Sequence, residues 1–386
     1  MITVEPAQQA TPGDTPQGGP AVAPRLINLF GLDRAQLRES FAQMGEKPFR
    51  ADQVMQWIYR RGSDSFDDMT NISKDLRQRM AQHFFIRTPE LVTEQVSADG
   101  TRKWVLRLDG GNAIETVYIP EEGRATLCIS SQVGCAMDCS FCSTAQQGLN
   151  RNMTTAEIIA QVWFAARTLG GDFQNERVIS NIVFMGMGEP LANYNAVLPA
   201  IRILLDDFGF GLSKRRVTVS TSGLVPFMDR LRGDVDTALA VSLHAPNDEL
   251  RNQLVPINRK YPIADLLEAC RRYTEGKDRK THIVYEYVML DGINDKPEHA
   301  RALAKLLGDM PAKVNLIPFN PFPQAQYKRS KPEAIQAFAK ILRDRRIVAT
   351  TRKTRGDDID AACGQLVGRV QSKQKNRLSG IPVVRQ

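Results

Sequence analysis

Histidine is scarce in this 386-residue chain: four residues, His83, His244, His282 and His299, lie far apart. Cysteine is nearly as scarce, with six, and no second pair of cysteines or histidines completes the ligand pattern of a structural zinc site. No uninterrupted apolar run approaches the length of a membrane span, so the expected partners include no membrane. The opening Met1-Ile2-Thr3-Val4-Glu5-Pro6 has neither the basic nor the apolar region of a secretory signal. The expected location is therefore cytoplasmic, where cysteines stay reduced. Residues 1–24 hold five prolines, no Lys or Arg, and almost no large apolar side chain. Such a segment cannot offset its ordering entropy and is expected to be a disordered tail. The rest has a globular composition, and its net charge of +8 is compatible with a polyphosphate partner without singling one out.

Periodicity divides the remainder. Residues 25–92 read as a small helical accessory module with an RNA-docking role in prospect. Val54, Trp57 and Ile58 follow helical spacing, Arg60 and Arg61 sit in the last turn, and Gly62 suits the C-terminal cap. A second helix is expected over Ser73 to His83. Residues 93–120 read as a β-hairpin linker, with strands Lys103–Leu108 and Ile114–Ile119 around the turn Asp109-Gly110-Gly111-Asn112. From 121 to 357, short apolar runs alternate with helices: Ala125–Ser130, Asn181–Met185, Val217–Thr221, Leu239–Leu243, Ile283–Met289, Val314–Pro318 and Ile347–Thr351. Alternation implies parallel βαβ units. Six or seven units are too few for a closed eight-stranded barrel, so the expected fold is α/β, a partial (β/α)6 TIM-like barrel with the last run as an extra strand. Its chemistry belongs at the C-terminal ends of the strands. Residues 358–386 form a C-terminal segment with a cysteine and a basic tail.

Cys135, Cys139 and Cys142 stand in a C-x3-C-x2-C run directly after the first barrel strand. Three thiolates on one loop suit three irons of a cubane cluster and leave a fourth iron open to a small molecule. This spacing resembles that of the radical S-adenosylmethionine (SAM) enzymes. Gly186-Met187-Gly188-Glu189-Pro190 follows the next strand; two glycines let a ligand approach the backbone, and Glu189 can accept from an ammonium group. Ser220, Ser242-Leu243-His244 and Asn320 lie at further strand ends. Singly each reads as a strand-end cap; together with the Gly-Glu loop they read as a cofactor rim. Cys128 alternates with Leu127 and Ile129 and can face the lumen, while Cys270 fits a helix interior. Cys363 follows the basic run Arg352-Lys353-Thr354-Arg355, where a reactive thiol is plausible.

Taken together, Gly134-Cys135…Cys139…Cys142, Gly186-Met187-Gly188-Glu189-Pro190, Ser242-Leu243-His244-Ala245 and Arg352-Lys353-Thr354-Arg355-Gly356…Ala362-Cys363-Gly364-Gln365-Leu366 resemble the RlmN family, dual-specificity RNA methyltransferases that make 2-methyladenosine. The likeness covers residues from about 25 to 370. It implies one [4Fe-4S] cluster per chain, bound by Cys135, Cys139 and Cys142, and two SAM molecules per turnover. The implied SAM contacts are Gly188, Glu189, Ser220, Ser242, Leu243, His244 and Asn320. Carbon 2 of adenine has no electron pair to displace a methyl group from SAM, so radical chemistry is needed. By the resemblance, Cys363 takes a methyl group from one SAM, and a 5′-deoxyadenosyl radical from a second removes a hydrogen from it. The carbon radical adds to adenine, a base removes the ring proton, and Cys128 attacks the Cys363 sulfur to release product as a disulfide bond forms.

Glu115 matches the family's proton acceptor, although from the residues alone it reads as an exposed hairpin carboxylate. The resemblance further implies 23S rRNA near the peptidyl-transferase centre and the tRNA adenosine 3′ of the anticodon as substrates. An electron donor such as flavodoxin and a monomeric state belong to the same expectation. Arg352, Lys353, Arg355 and the run Lys373–Arg377 are candidates for phosphate contact. Three other readings stand beside this one: a Cfr-like methyltransferase acting on carbon 8, a radical-SAM enzyme of a small molecule, and a non-catalytic RNA-binding protein with a structural metal. The Cys363 segment and the helical module argue against the small-molecule reading.

Overall fold

The computed structural model describes residues 26–170, 178–278, 282–308 and 310–366; the proline-rich segment and Lys373–Arg377 lie outside the described residues. Strand β1 (Ile27–Asn28) pairs in parallel with β2 (Phe84–Phe85), joining the two ends of the N-terminal module. Between them lie α1 (Arg34–Gln43), α2 (Pro48–Arg60) and α3 (Lys74–His83). A capping box starts α1: the Asp33 carboxylate accepts from the Gln36 N–H, and the Gln36 amide oxygen accepts from the Asp33 N–H. Pro48 opens α2, where its missing N–H has no partner to lose, and Gly62 follows the helix end at φ 63°. The Ser73 hydroxyl caps α3 by accepting from the Leu76 N–H. Leu37, Phe41, Val54, Met55, Ile58, Tyr59, Leu76 and Met80 are buried where the helices meet. Removing each from water contributes roughly 1.5–3 kcal/mol.

The main sheet begins as an antiparallel meander of β3 (Glu90–Val96), β4 (Arg102–Arg107), β5 (Ala113–Glu121) and β6 (Arg124–Cys128). A small hairpin follows, β7 (Gln132–Gly134) with β8 (Leu149–Asn152), enclosing the cysteine loop and the short α4 (Ser143–Gln146). The chain then alternates through α5 (Thr155–Thr168), β9 (Asn181–Phe184), α6 (Tyr194–Leu205), β10 (Val217–Thr221), α7 (Val225–Asp234) and β11 (Ala238–Ser242). It continues with α8 (Asp248–Leu254), α9 (Ile263–Thr274), β12 (Ile283–Met289), α10 (Pro297–Leu307), β13 (Ala312–Pro318), α11 (Pro332–Asp344) and β14 (Val348–Thr351). The sheet order is β14-β13-β12-β11-β10-β9-β6-β5-β4-β3. Strands β6 and β9 to β14 are all parallel. The α/β fold with six barrel strands and an extra one is thus present as expected.

Two features differ from the sequence reading. The linker hairpin is no separate unit: β4 gains a further partner, β3, which straddles the boundary expected at residue 92 between the helical module and the hairpin, and all three strands extend the main sheet. The cysteine loop does not leave β6 directly, because β7 intervenes.

The sheet does not close by strand pairing, yet it curls. Val117 and Ile119 of β5, Cys128 at the end of β6, and Ile317 and Pro318 of β13 line one cavity although they are far apart in strand order. The chain after β14 ties the two sides together. On the β3–β4 side, the Ser97 hydroxyl and the Ala98 N–H donate to the Asp358 carboxylate (2.6 and 3.3 Å), the Gly356 N–H donates to Asp99 (3.3 Å), and Lys103 Nζ donates to the Asp360 carbonyl (3.2 Å). On the β13 side, the Arg352 N–H donates to the Leu316 carbonyl (2.8 Å), and Gln365 Nε2 donates to the Pro321 carbonyl (3.0 Å). The N-terminal module packs behind α5: the Phe30 and Trp163 rings lie 5.6 Å apart, and Trp163 Nε1 donates to the Ile58 carbonyl at 3.0 Å.

Candidate active site

Cys135, Cys139 and Cys142 line a cavity enclosing about 1020 Å³ of partly open space at the C-terminal ends of the parallel strands. That size falls at the upper end of small-molecule sites. Gly188, Glu189, Ser220, Ser242, His244 and Asn320 line the same cavity. Leu243 does not. Its side chain is fully buried in the core, and its carbonyl accepts from Arg251 Nε (3.1 Å).

The β7–β8 hairpin holds the cysteine loop. The Cys135 N–H donates to the Gly148 carbonyl, the Cys142 N–H to the Cys139 carbonyl, and the Ser140 N–H to the Leu254 carbonyl, at 3.1, 3.1 and 3.2 Å. Asp138 turns the chain with a left-handed φ of 55°. Burial pushes all three thiols up, and charge repulsion among them adds to it for Cys135 and Cys139. Three thiolates in such a pocket need a cationic partner, as irons would provide. No group of three or more His, Cys, Asp or Glu among the described residues is gathered to hold a single metal ion. A cubane makes a different demand, because each thiolate binds a different iron. The donor set therefore fits the cluster and does not build the zinc site of the rival reading.

The glycine loop departs from expectation in an instructive way. A Cβ on Gly186 would lie 2.7 Å from the Ile129 carbonyl, and one on Gly188, at φ 95°, would lie 2.4 Å from the Gln132 side chain. Protein, rather than ligand, fills the space these glycines vacate. The loop is pressed onto the β6–β7 connection, where the Gly186 N–H donates to the Ile129 carbonyl (3.1 Å) and the Met187 N–H to Ser130 Oγ (2.9 Å). This close approach sets Glu189 in place. One of its oxygens accepts from the Ser222 N–H and hydroxyl (both 2.8 Å), the other from the Leu191 N–H (3.1 Å). Burial raises the Glu189 carboxyl and the Ser222 hydrogen bonds oppose it.

His244 sits at a left-handed φ of 59°, and its Nδ1 accepts from the Val288 N–H at 3.0 Å. Burial, aided by the nearby Arg251 cation, pushes the ring down to about 3, so it is neutral with its proton on Nε2. Asn320 donates from Nδ2 to the Cys363 carbonyl (3.4 Å) and accepts from Arg329 (3.0 Å), which makes it a holder of the cysteine segment as well as a rim residue.

A second, smaller cavity of about 480 Å³ adjoins the first and is lined by both Cys128 and Cys363. Cys363 faces both cavities. All six cysteines are free, so no disulfide joins Cys128 to Cys363 in this structure. Arg352, expected to meet phosphate, lines both cavities instead and hydrogen-bonds Cys363, with Glu286 and Cys128 also near it. The negative charge of Cys363 and of Glu286 raises the Arg352 guanidinium against its burial. Burial and then the charge of Cys363 push the Cys128 thiol up to about 12, with Arg352 opposing. Arg355 lies 3.6 Å from Asp99, leaving Lys353 as the exposed cation of that run. Glu286 accepts twice from Asn315 Nδ2 (3.1 and 3.0 Å). Arg352, Glu286 and Ser222 are the site residues that sequence reasoning missed.

Glu115 is not an exposed hairpin carboxylate: it is 4% exposed and lies 3.6 Å from Lys103 Nζ. It lines neither cavity, but it shares a face of β5 with Val117 and Ile119, which line the smaller one.

Residues 27–86 match the model of the ribosomal RNA large subunit methyltransferase N-terminal domain, and residues 129–304 match that of the radical SAM superfamily. The dual-specificity RNA methyltransferase RlmN of Alcanivorax borkumensis is 57% identical over 355 residues, covering 92% of this chain and 93% of that protein. The chain belongs to the RlmN family. A radical SAM methyltransferase from Sphaerobacter thermophilus has the same fold, with a TM-score of 0.81 and 46% identity over 88% of this chain and 99% of that one. The RlmN family carries a [4Fe-4S] cluster and S-adenosylmethionine, and the cysteine loop with its Gly-Glu rim fits both. Among the described residues no helix is long and apolar enough to cross a membrane.

Proposed function

We propose that this chain methylates carbon 2 of adenine in 23S rRNA and in tRNA, working in the cytoplasm with an electron donor such as flavodoxin. The observation that carries this reading is the placement of Cys363: it is shared by the cysteine-triad cavity and by the adjoining cavity that holds Cys128. A sulfur in that position can collect a methyl group on one side and deliver it on the other.

Cys135, Cys139 and Cys142 would hold the cluster, and Glu189 with Ser220, Ser242, His244 and Asn320 would hold SAM. Together these groups supply, when bound, a radical able to take a hydrogen atom from an unactivated methyl group. The chain's own residues do the rest. Cys363, with the Arg352 guanidinium against it, is the nucleophile: its sulfur forms the new bond to the SAM methyl group as the S-adenosylhomocysteine sulfur leaves with the electron pair. Glu286 is the other acidic group near Arg352; burial raises its carboxyl and Arg352 opposes that.

Cys128 must wait its turn. Burial, and after it the charge of Cys363, pushes the Cys128 thiol up; a methyl cap on Cys363 removes the second cause and leaves Arg352 opposing the first. Once the carbon on Cys363 has become bonded to the base, Cys128 would attack the Cys363 sulfur: the S–S bond forms as the S–C bond breaks, the electron pair goes to the carbon, that carbon takes a proton to become the product methyl group, and the disulfide is left for an external thiol to reduce. Glu115, 3.6 Å from Lys103 Nζ, would be the proton acceptor. The target adenosine has to leave its stack to reach a thioether this enclosed.

Nucleoside mass spectrometry of RNA treated with the cluster-loaded protein tests the proposal. The expected product is 2-methyladenosine. An 8-methyl product would overturn it in favour of the Cfr-like reaction, and unmodified RNA from protein that cleaves SAM would overturn it altogether.

A further inference from the structure

Arg251 is fully buried, at 0% exposure. It lies on α8, and all three of its nitrogens donate. Nε donates to the Leu243 carbonyl (3.1 Å), one terminal nitrogen to Asn258 Oδ1 (2.8 Å), and the other to the carbonyls of Ser222 (2.7 Å) and Ser242 (2.9 Å). Every one of these acceptors is neutral. Among the described residues no carboxylate forms an ion pair with Arg251. Asp248, the acid on the same helix, is turned to Asn258 Nδ2 and the Ile263 N–H, both at 2.8 Å. Glu189 is reached only through Ser222, which donates to it with its N–H and hydroxyl.

A buried cation without an anion is costly, and four carbonyl-type bonds satisfy its donors but not its charge. Neutral side chains could have made those bonds, so the charge itself needs an explanation. The direction in which it acts is visible. Leu254, three residues further along α8, accepts from the Ser140 N–H, so this helix packs directly against the cysteine loop. Burial pushes the Arg251 guanidinium down to about 10, and a Cys139 thiolate, ahead of Asp248, is the first charge that would oppose it.

We propose that Arg251 is the counter-cation of the thiolate-bound cluster and sets the potential at which the cluster accepts its electron. This rests on the reading of Cys135, Cys139 and Cys142 as cluster ligands. Taking one electron from a one-electron donor adds one negative charge to a group already bound by three thiolates. A fixed cation on the helix that hydrogen-bonds the cysteine loop favours that reduced form, as nearby charge does for iron–sulfur centres in general.

The test is a potentiometric titration of anaerobically reconstituted full-length protein, followed by electron paramagnetic resonance, with iron and sulfide counted in each sample. Arg251→Gln keeps donors and loses the charge; Arg251→Lys keeps the charge and loses the fork. The Gln variant is expected to show a midpoint lower by about 59 mV or more, a tenfold fall in the reduced fraction at a fixed solution potential. The Lys variant is expected to stay near wild type. If the Gln variant folds by circular dichroism but binds no iron while the Lys variant binds it, the same role is shown through affinity. Wild-type midpoints in the Gln variant, equal shifts in both, or loss of the cluster in both would overturn the proposal and leave Arg251 a structural brace. Wild-type protein without iron and sulfide would instead sink the cluster reading itself, so the two failures are distinguishable.

Discussion

Replacing Lys103 by methionine should move the pH dependence of methylation upward without touching a cavity wall. Lys103 Nζ lies 3.6 Å from a Glu115 oxygen, and both side chains are almost fully enclosed, at 6% and 5% exposure. Two unit charges at that separation attract by about 5 kcal/mol at an effective dielectric of 20. Methionine matches the length of the stem but removes the charge, and water entering the gap recovers part of the loss. The net effect is smaller than that figure, and its direction is what the assay reads. The sign follows from the charges. Lys103 favours the ionised carboxylate, so removing it lets Glu115 keep its proton to higher pH. A base must be ionised to accept a proton, so the acidic limb of the rate moves up. The assay is single-turnover formation of methylated RNA from protein already methylated on Cys363, between about pH 6 and 9. Near neutrality the variant should be slower by ten- to a hundredfold and should recover as pH rises, whereas Glu115→Gln should be slow throughout. Lys103→Arg should restore most of the wild-type profile. An unshifted limb in Lys103→Met, with the protein folded, would refute the coupling.

Three further outcomes follow from the geometry. Gly186→Ala drives a methyl group to within 2.7 Å of the Ile129 backbone and should cost about 1–3 kcal/mol, seen as a lower melting temperature and weaker SAM binding by calorimetry. Gly123→Ala, at a φ of 67° with nothing within 4 Å, should cost only about 1 kcal/mol and leave SAM binding alone; equal losses in both variants would contradict the packing argument. Cys128→Ala should accumulate a covalent protein–RNA adduct on denaturing gels, and clean turnover by that variant would rule out its resolving role. The His244 ring, held at about 3, should show no titration by NMR between about pH 5 and 8, and a midpoint inside that range would mean the Val288 hydrogen bond is not made in solution.

The parallel strands were readable where strand formers run together: Ile283–Met289 is buried at all but one position, Val217–Thr221 alternates buried and half-buried residues, and both have the same bounds in the structure. The cysteine triad was readable because its geometry is local. What escaped is what depends on curvature or on an exposed surface. Strand β3, Glu-Leu-Val-Thr-Glu-Gln-Val, is an exposed edge with hardly a buried residue, so no apolar period marks it. Helix α1 buries only Leu37 and Phe41, too few to show a stripe. Arg352 looked like a phosphate ligand because its sequence neighbours are basic; only the curl of the sheet turns it towards Cys128 and Glu286. Glu286 did leave a trace, as a lone charge inside the apolar strand Ile283–Met289, where a carboxylate needs a reason to be buried. Arg251 left none, since its role depends on three carbonyls from two separate strand ends.

The chain after β14 makes the width of the mouth and the position of a reactive sulfur a single mechanical variable. Its anchors lie on β3–β4 through Ser97, Asp99 and Lys103, and on β13 and the loop after it through Leu316 and Pro321, with Cys363 between them. Any spreading of the rim must drag the thiol along or tear out one set of anchors. A methyl-carrying cysteine therefore cannot simply be grafted onto another enzyme of this superfamily. The three antiparallel strands that receive one end of the chord have to travel with it.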